Sequence, residues 1–114
     1  MKTALKNSAS ASINALNANS FSISGTLNFN TVPTLMKQAE GMLANCKNAS
    51  VDFAAVDNAN SAGLALLIEM LRFMRQRKAS IRFSNVPEQI AIVARAYGIE
   101  TALDSAEFST QISA

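Results

Sequence analysis

The sequence predicts a single α/β domain: a mixed β-sheet with an N-terminal hairpin and helices packed on it, in the order β-β-α-β-α-β-α. Two observations carry this. Near the N-terminus, two short alternating segments flank Asn17-Ala18-Asn19-Ser20, a run with the chemistry of a hairpin turn. Thereafter short β-forming runs alternate with helix-length amphipathic ones, so crossover helices join strands that run roughly parallel. At 114 residues the chain can bury roughly two-thirds of its unfolded surface without a metal or a disulfide. The domain is expected over residues 9–108, after a disordered N-terminus at 1–8 and before a flexible tail at 109–114.

The first strand is S-A-S-I-N-A-L, residues 10–16, which alternates loosely. Phe21–Leu27, F-S-I-S-G-T-L, alternates more strictly, with Phe21 and Ile23 on one side. Gly25 inside it marks either a bulge or a close backbone approach. Asn28, Asn30 and Thr31 supply loop and capping groups, and Pro33 suits a first helical turn. Leu35, Met36, Ala39, Met42 and Leu43 then recur at helical spacing, predicting a helix over 32–46. Val51–Val56 is a short central strand, and Asp57-Asn58-Ala59-Asn60 reads as a polar turn.

The next helix starts at Ser61, with Ser61 or Asn60 as its N-cap. At roughly 100° per residue, Leu64, Leu66, Leu67, Met70, Leu71, Phe73 and Met74 fill one wide apolar arc. That arc suits a sheet plus a neighbouring helix. Ser61, Ala65, Glu69, Arg72 and Gln76 fall on the opposite, outward stripe. After Lys78, Ile81 and Phe83 alternate with Arg82 and Ser84 in a strand with one wetter face. Asn85-Val86-Pro87 turns into a helix from Glu88 to about Ala96, with Ile90, Val93, Ala94 and Tyr97 inward and Gly98 as its stop. Ile99 and Leu103 are expected to pack back on the core. The stretch with Phe108 and Ile112 stays open between a terminal helix and a loose tail.

Composition narrows the function classes. A net charge of +2 does not call for nucleic acid. Six of the ten basic residues, Arg72, Arg75, Arg77, Lys78, Arg82 and Arg95, nevertheless fall close together in sequence. They either complement a helix C-terminus or make a local phosphate-binding surface. The single cysteine, Cys46, rules out an internal disulfide and reads as a small half-buried side chain. No histidine is present, so neither a Ser-His nor a Cys-His pair can form, and the scattered acids offer no metal cluster. No phosphate-binding glycine motif occurs. A non-enzymatic protein without cofactor or metal is therefore expected, and the N-terminus lacks the apolar core of a signal peptide, which points to the cytoplasm.

The run V-D-F-A-A-V-D-N-A-N-S-A-G-L-A-L-L, residues 51–67, resembles the signature of the STAS domain family (sulfate transporter and anti-sigma factor antagonist). That signature is a strand with an aspartate, here Asp52, then a loop, then D-[ST]-x-G-L at a helix start. S-G-T-L at Ser24–Leu27 is similar to the family's S-G-E-L, and A-R-A-Y-G-I to its helix ending in L-Y-x-L. The resemblance spans about residues 10–103 and is strongest to the MlaB-type branch, cytoplasmic subunits of Mla phospholipid-transporting ABC complexes. Asn60 stands where the family usually has aspartate, and Thr26 and Asn28 replace acidic residues at the end of the second strand.

The resemblance implies a subunit that binds and regulates or stabilises an ABC transporter ATPase in maintaining outer-membrane lipid asymmetry. Its partner-binding residues would be Asn60, Ser61, Ala62, Ala65, Glu69 and Arg72. Small residues at the helix start, Ala59, Ala62 and Gly63, would let a partner backbone come close. In anti-sigma factor antagonists the matching serine is phosphorylated by a partner kinase. The alternative is therefore a switch phosphorylated at Ser61 that binds an anti-sigma factor kinase. Either reading places the chain in the cytoplasm, in the first case peripheral to the inner membrane through its partner.

Overall fold

Alternation along the first two segments forms an antiparallel hairpin of β1 (Ala11–Ala15) and β2 (Ser20–Leu27), with Ile13 opposite Ile23. The turn closes on Ser20, whose carbonyl accepts the Leu16 N–H at 2.7 Å, while the Asn17 side chain accepts the Asn19 N–H. The chain continues through α1 (Val32–Leu43), β3 (Asn48–Ala59), α2 (Ser61–Gln76), β4 (Ser80–Val86), α3 (Glu88–Ala96) and β5 (Phe108–Thr110). The computed structural model describes residues 10–96 and the backbone of 108–110. The proposed roles of Tyr97, Gly98, Ile99, Leu103 and Ile112, and the N-terminal segment 1–8, lie outside the described residues.

The sheet order is β1-β2-β3-β4-β5, antiparallel at the hairpin and parallel elsewhere. The β-β-α-β-α-β-α order stands, and a further strand joins it. Phe108–Thr110, left open between helix and tail, pairs parallel with β4, so residues 109 and 110 belong to the sheet rather than to a tail. A parallel neighbour supplies the backbone hydrogen bonds that a short segment cannot make for itself.

Period two sorts the sheet into two faces. Phe21, Ile23, Val51, Phe53, Ile81 and Phe83 are buried, whereas Ser22, Ser24, Ser50, Asp52 and Ser84 on the other face are half-buried. The helices cover the apolar face, α2 lying between α1 and α3. Phe53 and Phe83 meet edge to face at 6.1 Å in its centre. Leu66, Leu67, Met70 and Met74 of α2 are fully enclosed, each contributing roughly 1.5–3 kcal/mol. Together they approach the net stability of a small domain, so α2 is the fixed element. Its wide apolar arc is explained by the neighbouring helices.

The largest departure from the sequence reading is β3. Its pairing with β2 carries it to Ala59, through the stretch read as a turn. Pairing to β2 outweighs the local preference of Asp57 and Asn58 for turns. The mismatch in length is absorbed by two register shifts, one between Ser22 and Ser24 and one between Gly25 and Thr26. α1 in turn stops at Leu43 rather than 46, where Cys46 buries its thiol against the hairpin and donates to the Ala18 carbonyl at 3.4 Å.

Three described positions have positive φ: Gly25, Lys78 and Asn85, the last at φ 54. Gly25 has φ +96 and lies against β1, where a Cβ would overlap the Ser10 carbonyl oxygen; it provides both the bulge and the close approach. Lys78 has φ 58 at the end of α2. There Ala79 N–H donates to Met74 O at 2.9 Å and Lys78 N–H to Arg75 O at 3.0 Å, a left-handed helix stop that glycine ordinarily occupies. Gly25→Ala is expected to destabilise by about 2 kcal/mol or more, read as a lower urea midpoint at unchanged slope. Lys78→Gly is expected to act oppositely, raising stability by up to about 1 kcal/mol in the same measurement.

Candidate docking surface

The C-terminal end of the parallel strands is where α2 begins. β3 reaches this end beside β2, and Asn60 N–H donates to the Leu27 carbonyl at 3.0 Å, holding the strand exit against its neighbour. Asn60 then leaves the strand in extended geometry, and its side-chain oxygen accepts the Ala62 N–H at 2.8 Å. This settles the cap: it is Asn60, with Ser61 in the first helical position. The Ser61 hydroxyl is exposed and has no hydrogen-bond partner among the described residues.

Below it, Ala65, Glu69 and Arg72 are exposed as the helical projection requires. Glu69 and Arg72 form an ion pair at 3.0 Å along the helix. Both are solvated, so the pair contributes at most about 1 kcal/mol. No acidic residue lies in the first turn of α2, so the helix's own first turn leaves the partial positive charge at Ser61 in place.

Ala62 does not belong to this surface. It is only 1% exposed and faces the core, together with Ala59 and Gly63. The small residues serve internal packing instead: a Cβ on Gly63 would meet Ile90 Cδ1 at 2.5 Å and Leu27 Cδ1 at 3.4 Å. The close approach assigned to a partner backbone is that of α3 and β2 to the α2 start.

Sequence reasoning missed Phe29. Its ring is 69% exposed at the same end of the sheet, in the loop that follows Leu27. The loop is held by reciprocal bonds. The Asn28 side chain accepts the N–H groups of Asn30 and Thr31, while the Thr31 hydroxyl accepts Asn28 N–H and donates to the Thr26 carbonyl at 2.7 Å. A loop fixed in this way presents an apolar ring at its tip at little entropic cost to a partner. The available signal was a lone aromatic between two asparagines, which has no inward role in a turn.

Two other polar residues of the signature are structural. Asp52 accepts Ala54 N–H at 2.9 Å at the first register shift and Asn85 Nδ2–H at 2.9 Å from β4. It fastens the point where β3–β4 pairing ends. Asp57 accepts the Thr26 hydroxyl at 3.1 Å beside the second shift.

A family model described as "Mlab, STAS domain" matches residues 14–105. The chain belongs to the MlaB-type STAS family. Among solved structures, the anti-sigma factor antagonist SpoIIAA in its unphosphorylated form is similar, with TM-score 0.60 and 14% identity, over 81% of this chain and 91% of that one. At that identity the likeness concerns the fold. No curated protein matches the chain. Within the STAS sheet, the aspartate-bearing strand and the helix that follows are β3 and α2, and Asn60 alone connects them.

With Asn60 as the cap, Asn60→Ala is expected to lower stability by about 1 kcal/mol and Asn60→Asp to leave it nearly unchanged, as urea unfolding of the two variants would read.

Proposed function

We propose that this STAS domain is a non-catalytic subunit that docks on the ABC ATPase of an Mla-type phospholipid transporter and regulates or stabilises it. The observation that carries the reading is the Ser61 hydroxyl, exposed, unpartnered among the described residues, and at the head of the Ala65-Glu69-Arg72 stripe. The family match supports the partner class. Docking would use a short polar track on a helix that cannot shift, bordered by the Phe29 ring as an apolar anchor. The chain would then reach the membrane through its partner. Among the described residues no helix is long and apolar enough to cross one.

The test is co-purification of the full chain with the ATPase encoded beside it. Phe29→Ala is expected to weaken the complex about tenfold or more while shifting stability by less than about 0.5 kcal/mol. Ser61→Asp is expected to break the complex and, in cells, outer-membrane lipid asymmetry. Undiminished complex in both variants would end the reading.

A second reading has its own support. A phosphate on Ser61 would meet the N-terminus of a helix whose first turn holds no carboxylate, a favourable setting for an anion. The fold is also shared with an anti-sigma factor antagonist. The chain would then be a switch that binds an anti-sigma factor kinase. Intact mass after incubation with the neighbouring kinase is expected to rise by one phosphate, and Ser61→Ala to abolish the rise.

A further inference from the structure

The other end of the sheet, where β2, β3 and β4 begin, has a different chemistry. There the residues after α1, Ala44–Lys47, and those after α2, Arg77–Ala79, line a partly open pocket of about 120 Å³. One water needs only ~10–15 Å³ by the same measure, so the pocket has room for an oxyanion with waters around it.

Three cations line it: Lys47, Arg77 and Lys78. Arg77 is held in place from two sides, its guanidinium lying over the Phe73 ring at 5.4 Å and one Nη2–H donating to the Ala44 carbonyl. Its remaining N–H donors have no partner among the described residues. Lys47 and Lys78 are exposed and take part in no ion pair among the described residues; the Glu69–Arg72 pair lies on the flank of α2.

Complementing helix ends does not use up this charge. The two C-termini carry about half a negative charge each, so they offset roughly one of three positive charges. Glu40 in the last turn of α1 would still leave the sum positive. Lys78 moreover occupies a left-handed position that glycine ordinarily takes, so a lysine there carries a backbone cost.

We propose that this pocket binds a phosphate-type oxyanion through Lys47, Arg77 and Lys78. A pinned guanidinium with spare donors and two flexible ammonium groups is a suitable set for such a ligand. The phosphate has two sources, a free anion or an anionic lipid headgroup. The hairpin turn favours the lipid: it abuts this end through the Cys46–Ala18 and Ser50–Asn19 hydrogen bonds and carries Leu16, 62% exposed. An apolar tip beside a cationic pocket suits a headgroup layer. The site lies at the opposite end of α2 from Ser61 and does not depend on the docking reading.

The test uses the ¹⁵N-labelled full chain, titrated with sodium phosphate against sodium chloride at equal ionic strength. In parallel the chain is sedimented with phosphatidylcholine vesicles, with and without phosphatidylglycerol. Phosphate is expected to shift the Cys46, Lys47 and Ala79 amides where chloride does not. Lys47→Gln with Lys78→Gln is expected to weaken binding about tenfold or more. Lys78→Gly is expected to weaken phosphate binding while raising the urea midpoint, which a purely structural lysine would not do. Sedimentation with the phosphatidylglycerol vesicles that is lost in the double variant and reduced in Leu16→Ser assigns the lipid source. Phosphate shifts without sedimentation assign the free anion. Equal response to phosphate and chloride, with vesicle binding absent or unchanged in the double variant, overturns the proposal.

Discussion

Parallel pairing of β3 with β2 on one side and β4 on the other governs the arrangement of the whole domain. Parallel neighbours cannot be joined by a tight turn, so each connection must cross the sheet as a helix. The crossovers α1 and α2 therefore begin at the C-terminal end of the sheet and finish at the other. One end gathers helix starts, with their unpaired N–H groups; the other gathers helix stops, with their carbonyls. The two candidate sites inherit their chemistry from this polarity: capping side chains and an exposed hydroxyl at the first, arginine and lysines at the second.

The outward stripe of α2 is decoupled from the stability of the fold. Burial of Leu66, Leu67, Met70 and Met74 fixes α2, and none of the outward residues shares in that core. The Glu69–Arg72 pair is solvated and weak, and Ser61 makes no hydrogen bond among the described residues. Changes along the stripe therefore alter what a partner meets without altering how the helix sits. Phe29 follows the same logic: the loop is closed by Asn28 and Thr31, and the ring contributes nothing to that closure.

Elements whose signal was periodic were legible in the sequence. The hairpin, α2 and α3 fall where alternation or helical spacing put them, and Glu88–Ala96 matches its expected bounds. Elements decided by a distant neighbour were not. Asp57 and Asn58 have the composition of a turn, yet pairing with Thr26 and Leu27 extends β3 through them. Phe108–Thr110 becomes a strand only because β4 offers it an edge. The exposure of Ser61, Ala65, Glu69 and Arg72 is readable from the helical projection. That of Ala62 is not, because small residues look alike whether they admit a partner or an internal neighbour, and only the position of Ile90 decides between them.

The residue at position 60 separates what the fold requires from what the surface presents. A cap must accept an N–H from the next turn, and asparagine and aspartate do this about equally well. The structure uses only the Asn60 side-chain oxygen toward Ala62, so nothing in the local geometry selects an amide over a carboxylate. What differs is the field. A carboxylate would offset the positive helix start beside Ser61, whereas asparagine leaves it in place, with no acidic residue in the first turn to replace it. Within α2, the helix start beside Ser61 thus keeps its own partial positive charge, through a choice to which stability is indifferent.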